Sequence, residues 1–255
     1  MNDLYRCLIA EIRKSRRSMA VWLSVLGTLA NVFLFAILAA LHPDYAVNHW
    51  TDYFRIHYDG IAFMMLPLFV IILCSLVTYL EHRSDHWVLL RTLPIGPSTL
   101  YLGKYLFMLG LFFLAHLAFV AGMLLSGSIL GLWHSGFSGL RQMPDWSLLI
   151  RLIGQTLLSI AGLLSLHYWL SLYFRAFIIP LTIGILGFVT TLLLDGTWDY
   201  LWILPYAPPV QYVGLLDQEG SLPLWLGMYR GLWTSLAWGI LLFFGGMIWF
   251  RRSHG

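Results

Sequence analysis

The chain has 255 residues, of which 59% are hydrophobic and 11% charged, with a formal net charge of +3 and a mean hydropathy of +0.76. Roughly 25% charged residues is usual for a soluble domain, so this composition excludes an ordinary water-soluble enzyme or binding module and gives most of the surface to lipid or to other spans. The small positive balance sits in Lys and Arg at the edges of apolar runs and does not point to nucleic acid.

Residues 1–17 place Leu4, Tyr5, Leu8, Ile9 and Ile12 at helical spacing, while Asp3, Arg6, Glu11, Arg13, Lys14 and Arg17 occupy other faces. The stripe predicts an amphipathic interfacial helix on the inner leaflet; a basic leader that only fixes orientation would explain the charges but not the stripe. Six apolar runs follow, at 21–41, 60–80, 105–130, 148–172, 176–194 and 224–250. About 20 residues cross a hydrocarbon core about 30 Å thick. The expected architecture is an all-α integral membrane protein with six transmembrane helices in one domain, 1–255.

Eleven of the fifteen Lys and Arg fall on the side shared by residues 1–17, the 81–104 connection, Arg175 and the end of the chain. Arg55, Arg141, Arg151 and Arg230 fall on the other. The excess makes the first side, and both termini, cytoplasmic. The first apolar run is too long and starts too late for a cleavable signal peptide, and is expected to stay as an anchor. Cys7 lies in the leader and Cys74 in the second run, so no structural disulfide between them is expected, and neither stands in metal-ligand spacing.

The connection after the second run carries the densest polar chemistry. Glu81-His82-Arg83-Ser84-Asp85-His86-Trp87 gives way to Val88-Leu89-Leu90-Arg91-Thr92-Leu93 before Pro94 stops any helix. A short helix over 81–94, polar at its start and apolar at its end, fits this order. Glu81 and Asp85 repel each other mildly at four-residue spacing, and such a helix would gain from an external basic partner.

With Leu93-Pro94-Ile95-Gly96-Pro97 and the Gly103-Lys104 that follows, this stretch resembles the permease subunits of type-two ATP-binding-cassette exporters. In those proteins an acidic residue leaves the second span, a coupling helix ends in Leu-Pro plus a small-residue turn, and Gly-Lys opens the third span. Asp85 and Trp87 stand where many members have a second Glu, and a Gly-Thr pair common there is missing. The pattern is closer to the bacterial branch concerned with lantibiotic immunity and peptide export.

The resemblance implies a cytoplasmic coupling helix at 81–94, docked on a separate ATPase by Glu81, Arg83, Asp85, Trp87 and Arg91, with Pro94 and Gly96 setting the turn back into the membrane. It also implies a second permease copy or a sister permease, a multi-pass position in the bacterial inner membrane, and an amphipathic peptide, antibiotic or lipid-like substrate. Substrate-binding residues stay unassigned. The chain contains no phosphate-cradling loop ending in Gly-Lys-Ser/Thr, so ATP is expected on the partner subunit, and no cofactor of the chain's own is expected.

On the other side, residues 195–223 lack Lys and Arg but hold Trp198, Tyr200, Trp202, Tyr206 and Tyr212 around Pro205, Pro208 and Pro209. Aromatics favour the membrane interface. The resembled family has short re-entrant outer helices at this point, which need burial by protein. Other readings are weaker. Gly136-Phe137-Ser138-Gly139 spells the serine motif of rhomboid proteases, yet reads first as a Gly-rich turn beside Arg141 and Pro144. His116 and His167 lie in apolar runs and are read first as interhelical hydrogen-bonding groups, bonded to backbone or to Gln155, and only second as haem ligands. A secondary transporter would bury coupling carboxylates near mid-span, where this sequence has none. Against a non-transporting sensor or assembly factor the 81–94 segment weighs only through the resemblance.

Overall fold

A computed structural model describes residues 3–16, 18–42, 47–60, 64–83, 95–174, 176–211 and 230–254, the side chains of 80–83 and 254 excepted. Most of the described residues are helical, with no strand among them. The helices are α1 (Asp3–Ser15), α2 (Met19–Leu41), α3 (Trp50–Gly60), α4 (Leu66–Arg83), α5 (Pro97–Trp133), α6 (Trp146–Ser159), α7 (Ala161–Tyr173), α8 (Ile178–Leu194), α9 (Ala207–Gln211) and α10 (Arg230–His254). Tight three-residue-per-turn helices at Ser135–Arg141 and Leu201–Ile203 complete the outer connections.

Among the described residues, four stretches are long and apolar enough to cross a membrane: Met19–Leu41, Pro97–Trp133, Trp146–Tyr173 and Arg230–Ser253. The second and fifth expected spans appear as the shorter apolar helices Leu66–Tyr79 and Ile178–Leu194. At 1.5 Å per residue, the 17 residues of α8 reach about 25 Å, short of a hydrocarbon core about 30 Å thick. The 37 residues of α5 reach about 55 Å and project beyond it.

Two of the departures from regular helix geometry among the described residues have hydroxyls at their source. In α2, Ser24 Oγ donates to the Ala20 carbonyl at 2.7 Å and Thr28 Oγ1 to the Ser24 carbonyl at 2.8 Å, bracketing a widened π turn at Leu23–Gly27. The expected fourth span, 148–172, is two helices that meet at Ile160. There Ser235 of α10 inserts its hydroxyl, which donates to the Ser159 carbonyl at 2.8 Å and accepts from the Gly162 N–H at 3.0 Å. A side chain set into the backbone ladder breaks it while keeping both backbone groups paired.

The packing centres on α5 and α7. Helix α7 lies between α4 and α10, α5 is flanked by α1 and α2, and α8 leans on α4. The interior is aromatic and aliphatic, with Tyr53, Tyr58, Tyr101, Tyr168, Phe112 and Phe119 among its largest fully buried side chains. Outward, α2 presents Trp22, Leu26, Leu34 and Ile37, α8 presents Leu186 and Leu193, and α10 presents Ile240, Leu241 and Phe244. A belt of that composition suits hydrocarbon and not water.

Candidate functional site

The segment singled out in the sequence is entered by α4 and left by α5. Glu81 and Arg83 occupy the last turn of α4, and Gly96 is the residue before the first turn of α5. Asp85, Trp87, Arg91 and Pro94 lie outside the described residues, and with them most of the expected coupling helix. Gly96 is extended, at φ −64° and ψ 146°, its carbonyl takes the amides of Thr99 and Leu100, and Pro97 opens the helix where its missing N–H costs nothing. The expected turn at Gly96 is therefore a helix start of regular form.

The first turns of α5 are fastened on two sides. On one, the side chain of Lys104 is 1% exposed and its Nζ lies 2.6 Å from Glu11 Oε1, while Lys14 Nζ reaches Glu11 Oε2 at 3.2 Å. Burial pushes the Glu11 carboxyl up, but Lys104 and then Lys14 pull it further the other way, so it ends below its ordinary value of 4.5. One position earlier, Gly103 lets α1 approach: a Cβ there would stand 2.6 Å from Cys7 Sγ. On the other side, Tyr168 Oη donates to the Tyr101 carbonyl at 2.8 Å, and the hydroxyls of Tyr105 and Ser165 share a bond of 2.9 Å. The Tyr101 ring packs on Tyr168, Phe243 and Phe250 at centroid separations of 4.8, 5.4 and 5.7 Å. Movement of Gly96 thus bears directly on α1, α7 and α10.

Sequence reasoning missed the buried pair. Glu11 looked like a solvated residue on the polar face of α1, and Lys104 like an interfacial charge at a span entrance. The available signal was that Lys104 lies two turns inside an apolar helix, where an ammonium needs a carboxylate, and that Glu11 is the one acid in the middle of the amphipathic leader.

The opposite end of the bundle is tied down by its aromatics. Trp50 Nε1 donates to the Gln142 carbonyl at 2.8 Å, Tyr53 shares a 2.8 Å bond with Ser126, and Arg141 Nε donates to the Gly131 carbonyl at 2.7 Å. Ser138, the serine of the rhomboid-like motif, is exposed in the turn beside buried Phe137. After α8, Gly196 takes a positive φ of 76° and turns the chain back. Tyr206 then bonds His167 Nε2 at 2.9 Å, Ile203 accepts from Trp238 Nε1 at 2.7 Å, and Ala207, Pro208, Pro209 and Val210 are buried. His116 meets Tyr58 Oη at 3.2 Å. Among the described residues both intramembrane histidines therefore bond between segments to tyrosine hydroxyls, and not to the backbone or Gln155. Among the described residues no cluster of His, Cys, Asp and Glu could hold a metal ion.

The family described as ABC-2 family transporter protein matches residues 7–191, and the chain belongs to that family. Comparison with curated proteins and with solved structures returns no match. The chain is thus a multi-pass membrane protein of the ABC-2 permease type, the transport component and not itself a catalytic enzyme, and its family implies pairing with an ATP-binding-cassette ATPase.

Proposed function

We propose that the chain is the membrane-spanning subunit of an ATP-driven exporter in a bacterial inner membrane, with six crossings and both termini cytoplasmic. The helix over 81–94 receives the push of the ATPase pair through Glu81, Arg83, Asp85, Trp87 and Arg91, and Pro94 and Gly96 return it to α5. A second permease copy or a sister permease completes the pathway. The substrate is an amphipathic peptide, antibiotic or lipid-like molecule of the kind handled by the lantibiotic-immunity and peptide-export branch, and the 195–223 segment is re-entrant from the outer face. ATP binds only to the partner, and the permease carries no cofactor.

The observation that carries this reading is the double fastening of the first turns of α5, through Lys104–Glu11 on one side and Tyr101–Tyr168 on the other. A displacement delivered just before Gly96 is passed to three helices at once instead of being lost in a loose loop. Affinity purification of the permease from its host membrane, with identification of bound proteins, tests it. An ATP-binding-cassette ATPase should co-purify and be released by Trp87→Ala or Glu81→Lys. Transport by the purified chain without such a subunit would overturn the proposal, and so would external labelling of a cysteine placed at position 85 in intact cells.

A further inference from the structure

Between α2, the start of α4 and the middle of α5 lies a cavity of about 250 Å³, lined by residues that include Gly27, Asn31, Met65, Phe69, Ala115 and His116. Its existence follows from three local choices. The π turn at Leu23–Gly27 widens α2, Gly27 contributes no side chain, and Ala115 is small. Among the described residues, no Asp, Glu, Lys or Arg lines it. Leu23 and Met65, at 38% and 45% exposure, stand at a mouth that faces the apolar exterior.

Two polar groups on this wall have hydrogen-bonding capacity to spare. Among the described residues the Asn31 carboxamide has no partner, and His116 engages Tyr58 through Nε2 alone. Asn31 is twelve residues beyond Met19 and ten before Leu41, the ends of α2, or about 18 and 15 Å along the axis. That depth is near the middle of a core about 30 Å thick, where phospholipid chains offer only methylene groups. A lipid tail would fill the space and leave the amide unpaired, whereas a ligand carrying its own uncharged polar group satisfies both. An apolar protein cavity of about 150 Å³ already takes benzene, so this one has room for a fused-ring or branched body.

We infer that this cavity is a binding site for a compact uncharged amphipath, whose apolar body fills the space beside Gly27 and Ala115 and whose single hydrogen-bonding group meets Asn31 at mid-membrane. The site is separate from the α4–α5 connection and does not depend on how the ATPase is coupled. Its occupant reaches it from the membrane, either as a dissolved small molecule or as a resident lipid chain, and the depth of Asn31 favours the first.

The test uses the purified chain in nanodiscs of palmitoyl-oleoyl phosphatidylglycerol, photolabelled with 1-azidoanthracene, with 1-aminoanthracene and anthracene as competitors. Adducts should map to the peptides carrying Gly27, Asn31, Phe69 and Ala115. Asn31→Leu should raise the half-protecting concentration of 1-aminoanthracene about tenfold, the worth of one net hydrogen bond, and leave that of anthracene unchanged. Ala115→Phe should abolish the labelling. If that variant does not fold, Gly27→Leu serves instead, since a Cβ at Gly27 meets only the Leu23 side chain, at 3.4 Å. Labelling spread evenly over the exposed helices, or a half-protecting concentration of 1-aminoanthracene that does not change with Asn31→Leu, overturns the inference. So does labelling in lipid-free detergent that vanishes in nanodiscs, because a phospholipid chain would then be the occupant.

Discussion

Replacing Lys104 with Met isolates what the clasp at the base of α5 contributes. The substitution keeps the length of the stem and removes the ammonium that lies 2.6 Å from Glu11, leaving a carboxylate 7% exposed whose remaining cation here, Lys14, is itself 33% exposed at 3.2 Å. Removing one member of a buried pair costs about 3–5 kcal/mol. With Lys14 still beside Glu11 the lower end applies, so α1 should undock more readily by about 3 kcal/mol, or about a hundredfold in the docking equilibrium. Cys7 reads this out, because it is 5% exposed between α1 and Gly103. In a Cys74→Ala background, the rate of N-ethylmaleimide labelling of Cys7 in nanodiscs should rise about a hundredfold with Lys104→Met. The double variant Glu11→Leu/Lys104→Met, which replaces the pair by apolar side chains of similar volume, should return to within about tenfold of the parent. A Lys104→Met rate within threefold of the parent refutes the argument, as does a double variant as reactive as the single.

Gly103→Ala forces a methyl group to 2.6 Å from Cys7 Sγ and should loosen α1 by about 1–3 kcal/mol, seen as faster hydrogen exchange in residues 3–15. Because the Glu11 carboxyl is held below 4.5, its share of the docking is fully present above that pH and is lost as the pH falls through the depressed value. Exchange in α1, corrected for intrinsic rates, should therefore be flat from pH 7 to about 5 and accelerate in more acid solution. Ser235→Ala leaves the Ser159 carbonyl and the Gly162 amide unpaired in the interior and should lower stability by about 2 kcal/mol or more in a denaturant titration. Tyr206→Phe deprives buried His167 of its 2.9 Å bond. It should cost about 1–3 kcal/mol in the same titration and speed proteolysis between α8 and α9.

What the sequence made legible is what depends on composition and local order. The apolar runs predict where α2, α5 and the α6–α7 pair lie, because a chain must fill the hydrocarbon with helix whatever it packs against. The stripe of Leu4, Leu8 and Ile12 predicts α1 through its helical spacing, and the short polar connection after the second run, read with Gly96-Pro97, marks the transport family. Pairings between distant residues were hidden. Nothing in the period of α1 says that Glu11 turns inward toward a lysine 93 positions away. Nothing in the fourth run announces a break at Ile160, since its cause is a serine on the last helix. The 60–80 run read as one span, but the regular α-helix begins at Leu66. The cavity beside Asn31 needs three helices in register, and hydropathy averages such an arrangement away.

The break at Ile160 carries a mechanical implication for the last helix. An interrupted rod usually bends wherever strain is greatest, yet here both backbone groups at the gap are held by one hydroxyl belonging to α10. Gly162 brings Ser235 and Trp238 close, and Gly239 brings Ala161 just as near. Flexing of α6 against α7 that keeps these two bonds would turn about α10 as an axle, with the Ser159 carbonyl and the Gly162 amide covered throughout.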